Sequence, residues 1–152
     1  MKKVVSAILF CFLFTACEND TSYFPYQRVN FHLNLNVDLG VNLTGIGGYY
    51  RKGYDNKKEN EEIGLGGVLV YHNINDADAY SAFDLACPVE TSRMYLISMP
   101  DEKGIVKCNR CGSTFNLWYG NGNPESGPAA AQKRRLQSYP VNQSGTILTI
   151  SN

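Results

Sequence analysis

The nine residues Val29-Asn30-Phe31-His32-Leu33-Asn34-Leu35-Asn36-Val37 alternate apolar and polar side chains without a break. Successive side chains of a strand point to opposite faces, so the spacing predicts a strand with Val29, Phe31, Leu33, Leu35 and Val37 on one buried face. His32 then falls on the polar face beside Asn30, Asn34 and Asn36, as a solvent-side residue rather than a ligand. Pro25 predicts an extended lead-in. Further short strand segments follow at Val68–Tyr71, Tyr80–Leu85, Tyr95–Ile97, Ile105–Lys107, Thr114–Trp118, Leu136–Val141 and Thr146–Ile150. Turn signals separate them: Gly45, Gly47 and Gly48, the charged run Asp55–Glu62, Asn73–Asp76 and Pro100–Gly104. Gly120–Pro128, rich in Gly, Asn and Pro, predicts loop, and Asn142–Gly145 predicts the turn of a closing hairpin. Long helix-period segments are absent and the chain holds 10 tyrosines and 14 glycines, so the expected class is all-β with many turns.

The first residues read as an address. Lys2 and Lys3 precede an apolar stretch from Val4 to Ala16, about a dozen residues where a bilayer span needs roughly 20. The stretch ends in Phe14-Thr15-Ala16-Cys17, which resembles a bacterial lipobox. That resemblance implies a signal peptide over residues 1–16, with Cys11 discarded inside it, and lipidation of Cys17. An ordinary secretory signal with an incidental cysteine is the alternative. Glu18-Asn19-Asp20-Thr21-Ser22 is a polar, acidic tether that resembles the surface-export signal of Bacteroidetes lipoproteins. The expected organisation is a leader over 1–16, a lipidated tether over 17–25 and one β domain over 26–152. The expected location is the cell envelope, as an outer-membrane lipoprotein facing the periplasm or the surface. The lipid membrane is its first partner, through acyl chains on Cys17 worth about 0.8 kcal/mol per buried CH₂.

Removing residues 1–16 takes away Lys2 and Lys3 and no acids, which leaves 12 basic side chains against 14 acidic ones. A slightly acidic domain does not suit nucleic acid, whose binders carry a basic face. Lys133-Arg134-Arg135 has no companion basic stripe and reads as a solvated turn. About 135 residues suffice for a single core.

Two cysteine loops carry the chemistry: Cys87-Pro88-Val89 and Cys108-Asn109-Arg110-Cys111-Gly112-Ser113-Thr114-Phe115, followed by Gly127-Pro128-Ala129. In order and spacing they resemble the Rieske iron–sulfur domain, whose loops C-x-H and C-x-x-H-G-S-x-F hold a [2Fe–2S] cluster with two Cys on one iron and two His on the other. The resemblance covers roughly Gly66 to Ile150. It implies a stack of small antiparallel β-sheets, a Gly-Pro turn over the cluster and a closing hairpin. Cys87 and Cys108 match the two cysteine ligands, whereas Val89 and Cys111 stand where the histidines belong.

Chemistry follows the ligand set and not the fold, so three outcomes are open. In the first, no cofactor is bound and the sulfurs are structural. The resemblance brings Cys87 and Cys108 together, and outside the cytoplasm such neighbours oxidise. A Cys87–Cys108 disulfide would close a loop of about 20 residues and contribute about 3 kcal/mol; Cys108–Cys111 is the alternative bridge. In the second, Cys87, Cys108 and Cys111 bind zinc or iron as thiolates, with Glu90 as a fourth ligand. In the third, an atypical [2Fe–2S] cluster persists on Cys87, Cys108 and Cys111 with a further ligand. Cys108-Asn109-Arg110-Cys111 runs into a β-type stretch rather than a helix, which argues against thioredoxin-like disulfide exchange.

No Ser/His/Asp set or nucleotide loop is present. The reading favoured by the residues is a non-enzymatic, membrane-anchored accessory or binding module with an unidentified protein partner. The alternatives are an electron-transfer component of an oxidoreductase and a zinc-stabilised structural module.

Overall fold

The computed structural model describes residues 23–37, 43–74, 80–119 and 121–152. Three small antiparallel sheets carry its strands. The first is built from β1 (Val29–Asn34), β3 (Glu62–Ile63), β10 (Val141–Ser144) and β11 (Ile147–Ser151), in the order β10-β11-β1-β3. The second is built from β2 (Tyr49–Lys52), β4 (Val68–His72), β5 (Tyr80–Asp84) and β9 (Ser138–Tyr139), in the order β2-β4-β5-β9. The third is β6 (Ile105–Lys107), β7 (Thr114–Asn116) and β8 (Asn123–Ser126) in sequence order, and one short helix, α1 (Gly127–Ala131), follows it. The chain is all-β with several small antiparallel sheets, as expected.

The second sheet lies between two cores, which explains why β4 is buried at every position. Val68 and Val70 pack with Phe31, Leu33, Leu148 and Ile150 of the first sheet. Leu69 and Tyr71 point the other way, onto Val106, Phe115 and Leu117. A strand covered on both faces reads as a continuous apolar run, not an alternation. The same position buries both faces of the strand expected at Tyr80–Leu85. There Ala82 enters one core, Phe83 the other, and Asp84 is fully buried. Each buried large side chain contributes on the order of 1.5–3 kcal/mol.

In β1 the expected alternation holds as far as Asn34. It stops there because Asn34 Oδ1 accepts the Asn36 N–H at 3.0 Å and Asn34 O accepts the Val37 N–H at 3.1 Å, a side-chain-stabilised turn. Val37, expected on the buried face, is 66% exposed. His32 is exposed with Nδ1 3.0 Å from Thr149 Oγ1, while His72 is buried and donates from Nδ1 to Leu43 O at 2.8 Å.

Other expectations need correction. Gly120–Pro128 was expected to be loop, yet it contains β8 and the start of α1. β8 is an edge strand, so Pro124 costs no ladder bond that a neighbour needs. Asn116 Nδ2 and Glu125 Oε1 at 2.7 Å help hold it. Leu136–Val141 does not enter the closing hairpin intact. Ser138 and Tyr139 pair with β5, and beyond Pro140 the chain passes to the first sheet, where β10 and β11 turn through Gly145. The charged run Asp55–Glu62 is not all solvated, because Glu61 is buried against Lys52 at 2.6 Å. Among the described residues no helix is long and apolar enough to cross a membrane. The expected leader and Cys17 lie outside them.

Candidate metal centre

β5 runs on through Leu85 and Ala86 to Cys87, and β6 runs on to Cys108. Tyr95–Ile97, expected as a strand, instead forms two isolated bridges, Ala86 with Leu96 and Ile97 with Cys108. It thereby stitches the two cysteine loops side by side. Cys87 N donates to Tyr95 O at 2.9 Å, Asn109 N to Leu96 O at 3.1 Å, and Cys108 N to Ser113 O at 2.8 Å.

The three sulfurs of Cys87, Cys108 and Cys111 all lie within 4.8 Å of one another. Cys87 and Cys108 are buried, and Cys111 is half-buried. All three are free thiols, so the expected Cys87–Cys108 disulfide is absent. Cys87 Sγ lies 3.7 Å from Cys111 Sγ, far beyond the roughly 2.05 Å of a bond. The sulfurs stand at ligand distance rather than bonding distance, and with Cys111 beside Cys87 the group is a triad and not a pair. Arg110 N donates to Cys108 Sγ at 3.4 Å.

Electrostatics divide the thiols. Burial pushes the Cys87 thiol far up, and the neighbouring Cys108 thiol adds to this; the Val89 and Glu90 backbone N–H groups oppose it. Burial also acts to raise Cys111, but hydrogen bonding to the Ser113 side chain and backbone and to the other two thiols outweighs it, and the thiol ends below its ordinary value. Ser113 Oγ lies 3.1 Å from Cys111 Sγ and accepts the Ala129 N–H at 3.0 Å, so its own proton is free to reach a Cys111 thiolate.

That Ala129 contact fixes the Gly-Pro-Ala segment, which caps the second loop. Gly127 has φ +75°, and a Cβ there would stand 2.9 Å from Ser113 Cα; only glycine permits this approach. Arg134, expected in a solvated turn, donates from Nη1 to Pro88 O at 3.2 Å and stacks on Tyr23. It clamps the first loop, a role no local pattern announced. Ser113 was legible only as part of the motif, and its bridging of Cys111 to Ala129 needed the fold.

Among the described residues, the three cysteines are the one set of His, Cys, Asp or Glu groups, three or more, that converges on a point. They can hold a metal ion. Glu90 stands half-buried in the first loop, and its carboxylate does not join the converging set. No family model, curated protein or solved structure matches the chain. The site must therefore be judged on its own donors.

A two-iron cluster needs a ligand pair on each iron. Val89 offers no donor and packs against the core. Three sulfurs gathered on one point leave a second iron without ligands, so the donor set does not fit [2Fe–2S]. A tetrahedral ion with sulfurs about 2.3 Å away spaces them about 3.8 Å apart. The 3.7 Å between Cys87 and Cys111 meets that spacing.

Proposed function

We propose that this chain is a non-enzymatic, zinc-stabilised binding module, with one zinc ion held by the thiolates of Cys87, Cys108 and Cys111. The observation that carries this reading is the convergence of three sulfurs within 4.8 Å at the junction of two loops. Thiolate ligands at tetrahedral spacing suit zinc, which needs no redox change and contributes folding energy directly. The ion would pin the loop after β5 to the loop after β6, a corner otherwise held by two isolated bridges and a few hydrogen bonds. The lipobox-like sequence adds the second half of the proposal: a leader over 1–16 and a lipidated Cys17 would tether this domain to a membrane of the cell envelope.

The test is metal content. The chain purified under reducing conditions should carry about one zinc per molecule, and Cys111→Ser should lower that occupancy and the melting temperature together. Absorbance typical of an iron–sulfur cluster with about two irons per chain would overturn the reading in favour of an electron-transfer domain. A wild-type chain that takes up no metal would overturn it outright.

A further inference from the structure

The two cysteine loops are the same structure used twice. In the first, the Thr91 N–H returns to Cys87 O at 2.8 Å; in the second, the Gly112 N–H returns to Cys108 O at 3.2 Å. The residue closing each loop has a left-handed backbone, φ 47° at Thr91 and φ 73° at Gly112. Arg110, two residues after Cys108, donates its N–H to Cys108 Sγ at 3.4 Å, and the Val89 N–H, two residues after Cys87, acts on the Cys87 sulfur from the equivalent place. Both loops lean on Leu96 and Ile97, which lie between them.

This repetition pairs positions. Cys87 corresponds to Cys108, and the fourth residue of the first loop, Glu90, corresponds to the fourth residue of the second, Cys111. Cys111 delivers its sulfur to the common point. Glu90 occupies the mirrored place, half-buried, and among the described residues its carboxylate makes no ion pair or hydrogen bond. That carboxylate is therefore available to a cation. Three thiolates leave one position of a tetrahedral ion open, and a carboxylate oxygen is an accepted zinc ligand.

We infer that Glu90 is the fourth ligand of the centre, closing a three-sulfur, one-oxygen site by rotation of its flexible side chain. This rests on the zinc-module reading above. An all-protein set of four ligands makes the site closed, as structural zinc sites are, with no position left for a substrate water. Glu90 is thus the residue that separates a structural centre from an open, reactive one.

The experiment uses the full chain under reducing conditions, with Zn²⁺ affinity read by competition with a chromophoric chelator and Co²⁺ read by its thiolate charge-transfer absorption. Glu90→Gln should weaken Zn²⁺ binding at least about tenfold, since even outer partners of a ligand are worth that much. Glu90→Cys should strengthen the Co²⁺ charge-transfer band toward the ratio of four thiolates to three. Glu102→Gln, at an exposed turn, should change neither reading. Unaltered Zn²⁺ affinity in Glu90→Gln, with an unaltered Co²⁺ band in Glu90→Cys, would overturn the role of Glu90 while leaving the three-thiolate centre standing. A wild-type chain that binds neither ion would overturn both. Should Glu90→Gln fail to fold, the Co²⁺ band of Glu90→Cys alone decides.

Discussion

Tyr139 Oη donates a 2.7 Å hydrogen bond to Asp84 Oδ2, tying the short edge strand β9 to a carboxylate with no exposed surface. Asp84 also accepts the N–H groups of Leu65, Gly66 and Ala86 at 2.7, 2.9 and 2.7 Å. One side chain therefore organises the strand, the turn before β4 and the chain that leads to Cys87. Tyr139→Phe removes the only side-chain donor among these contacts and should cost about 1–3 kcal/mol, read as a lowered urea midpoint with an unchanged slope.

The same carboxylate predicts a pH dependence. Burial raises Asp84 above the ordinary carboxylate value, against the lowering effect of its four hydrogen bonds. The folded state therefore holds this proton to higher pH than the unfolded state does. Its contribution is full below the ordinary value and is lost as pH rises through the raised one. Unfolding free energies measured across that window for wild type and Asp84→Asn should show the extra downward slope in the wild type alone.

Lys52 and Glu61 form a buried ion pair at 2.6 Å, with Lys52 Nζ also 5.8 Å from the Phe31 ring centroid. Burial acts to raise the Glu61 carboxyl, but the Lys52 ammonium and the Lys58 N–H outweigh it and hold the carboxyl below its usual value. Its stabilisation is present above the unfolded value and is lost as pH falls through the lowered one. Lys52→Ala leaves a buried carboxylate uncompensated and should cost about 3 kcal/mol at neutral pH. Denaturant titration of Lys52→Met with Glu61→Leu should return most of that loss, because the double variant buries no unpaired charge.

Gly127→Ala puts a Cβ against Ser113 Cα with a left-handed backbone. The strain should cost about 1–3 kcal/mol and push the Gly-Pro-Ala segment off the second loop. Thermal melts with and without added Zn²⁺ check both effects: the variant should melt lower and gain less from the ion than wild type does. Equal gains would show that this segment does not support the centre.

Cys17 predicts a covalent change. Expressed in a Gram-negative host supplied with labelled fatty acid, the wild-type chain should incorporate label and partition with membranes. Cys17→Ser should lose both, and label retained by that variant would place the modification elsewhere.

The β class, the start of β1 and the positions of the cysteine loops were all legible in the chain itself. Side-chain direction along a strand has a period of two, and turn residues mark loops through their own backbone preferences. Such properties are local, and a local pattern states them directly. Three things were not local. Val68–Tyr71 reads as a short buried-type strand, but its place between two cores depends on which sheets cover it. Asn123–Ser126 looks like loop because Pro124 removes a donor, and only an edge position makes that harmless. Glu61 reads as solvated until Lys52, nine residues away in sequence, meets it in the fold.

The cysteines divide in the same way. Their order and spacing marked a candidate ligand set and showed that Val89 could not belong to it. Whether the sulfurs pair or gather was a matter of tertiary structure. Cys87 and Cys111 are 24 residues apart and arrive 3.7 Å from each other because Tyr95–Ile97 bridges both loops. Sequence specifies which donors exist; only packing between distant segments decides how many of them reach one point.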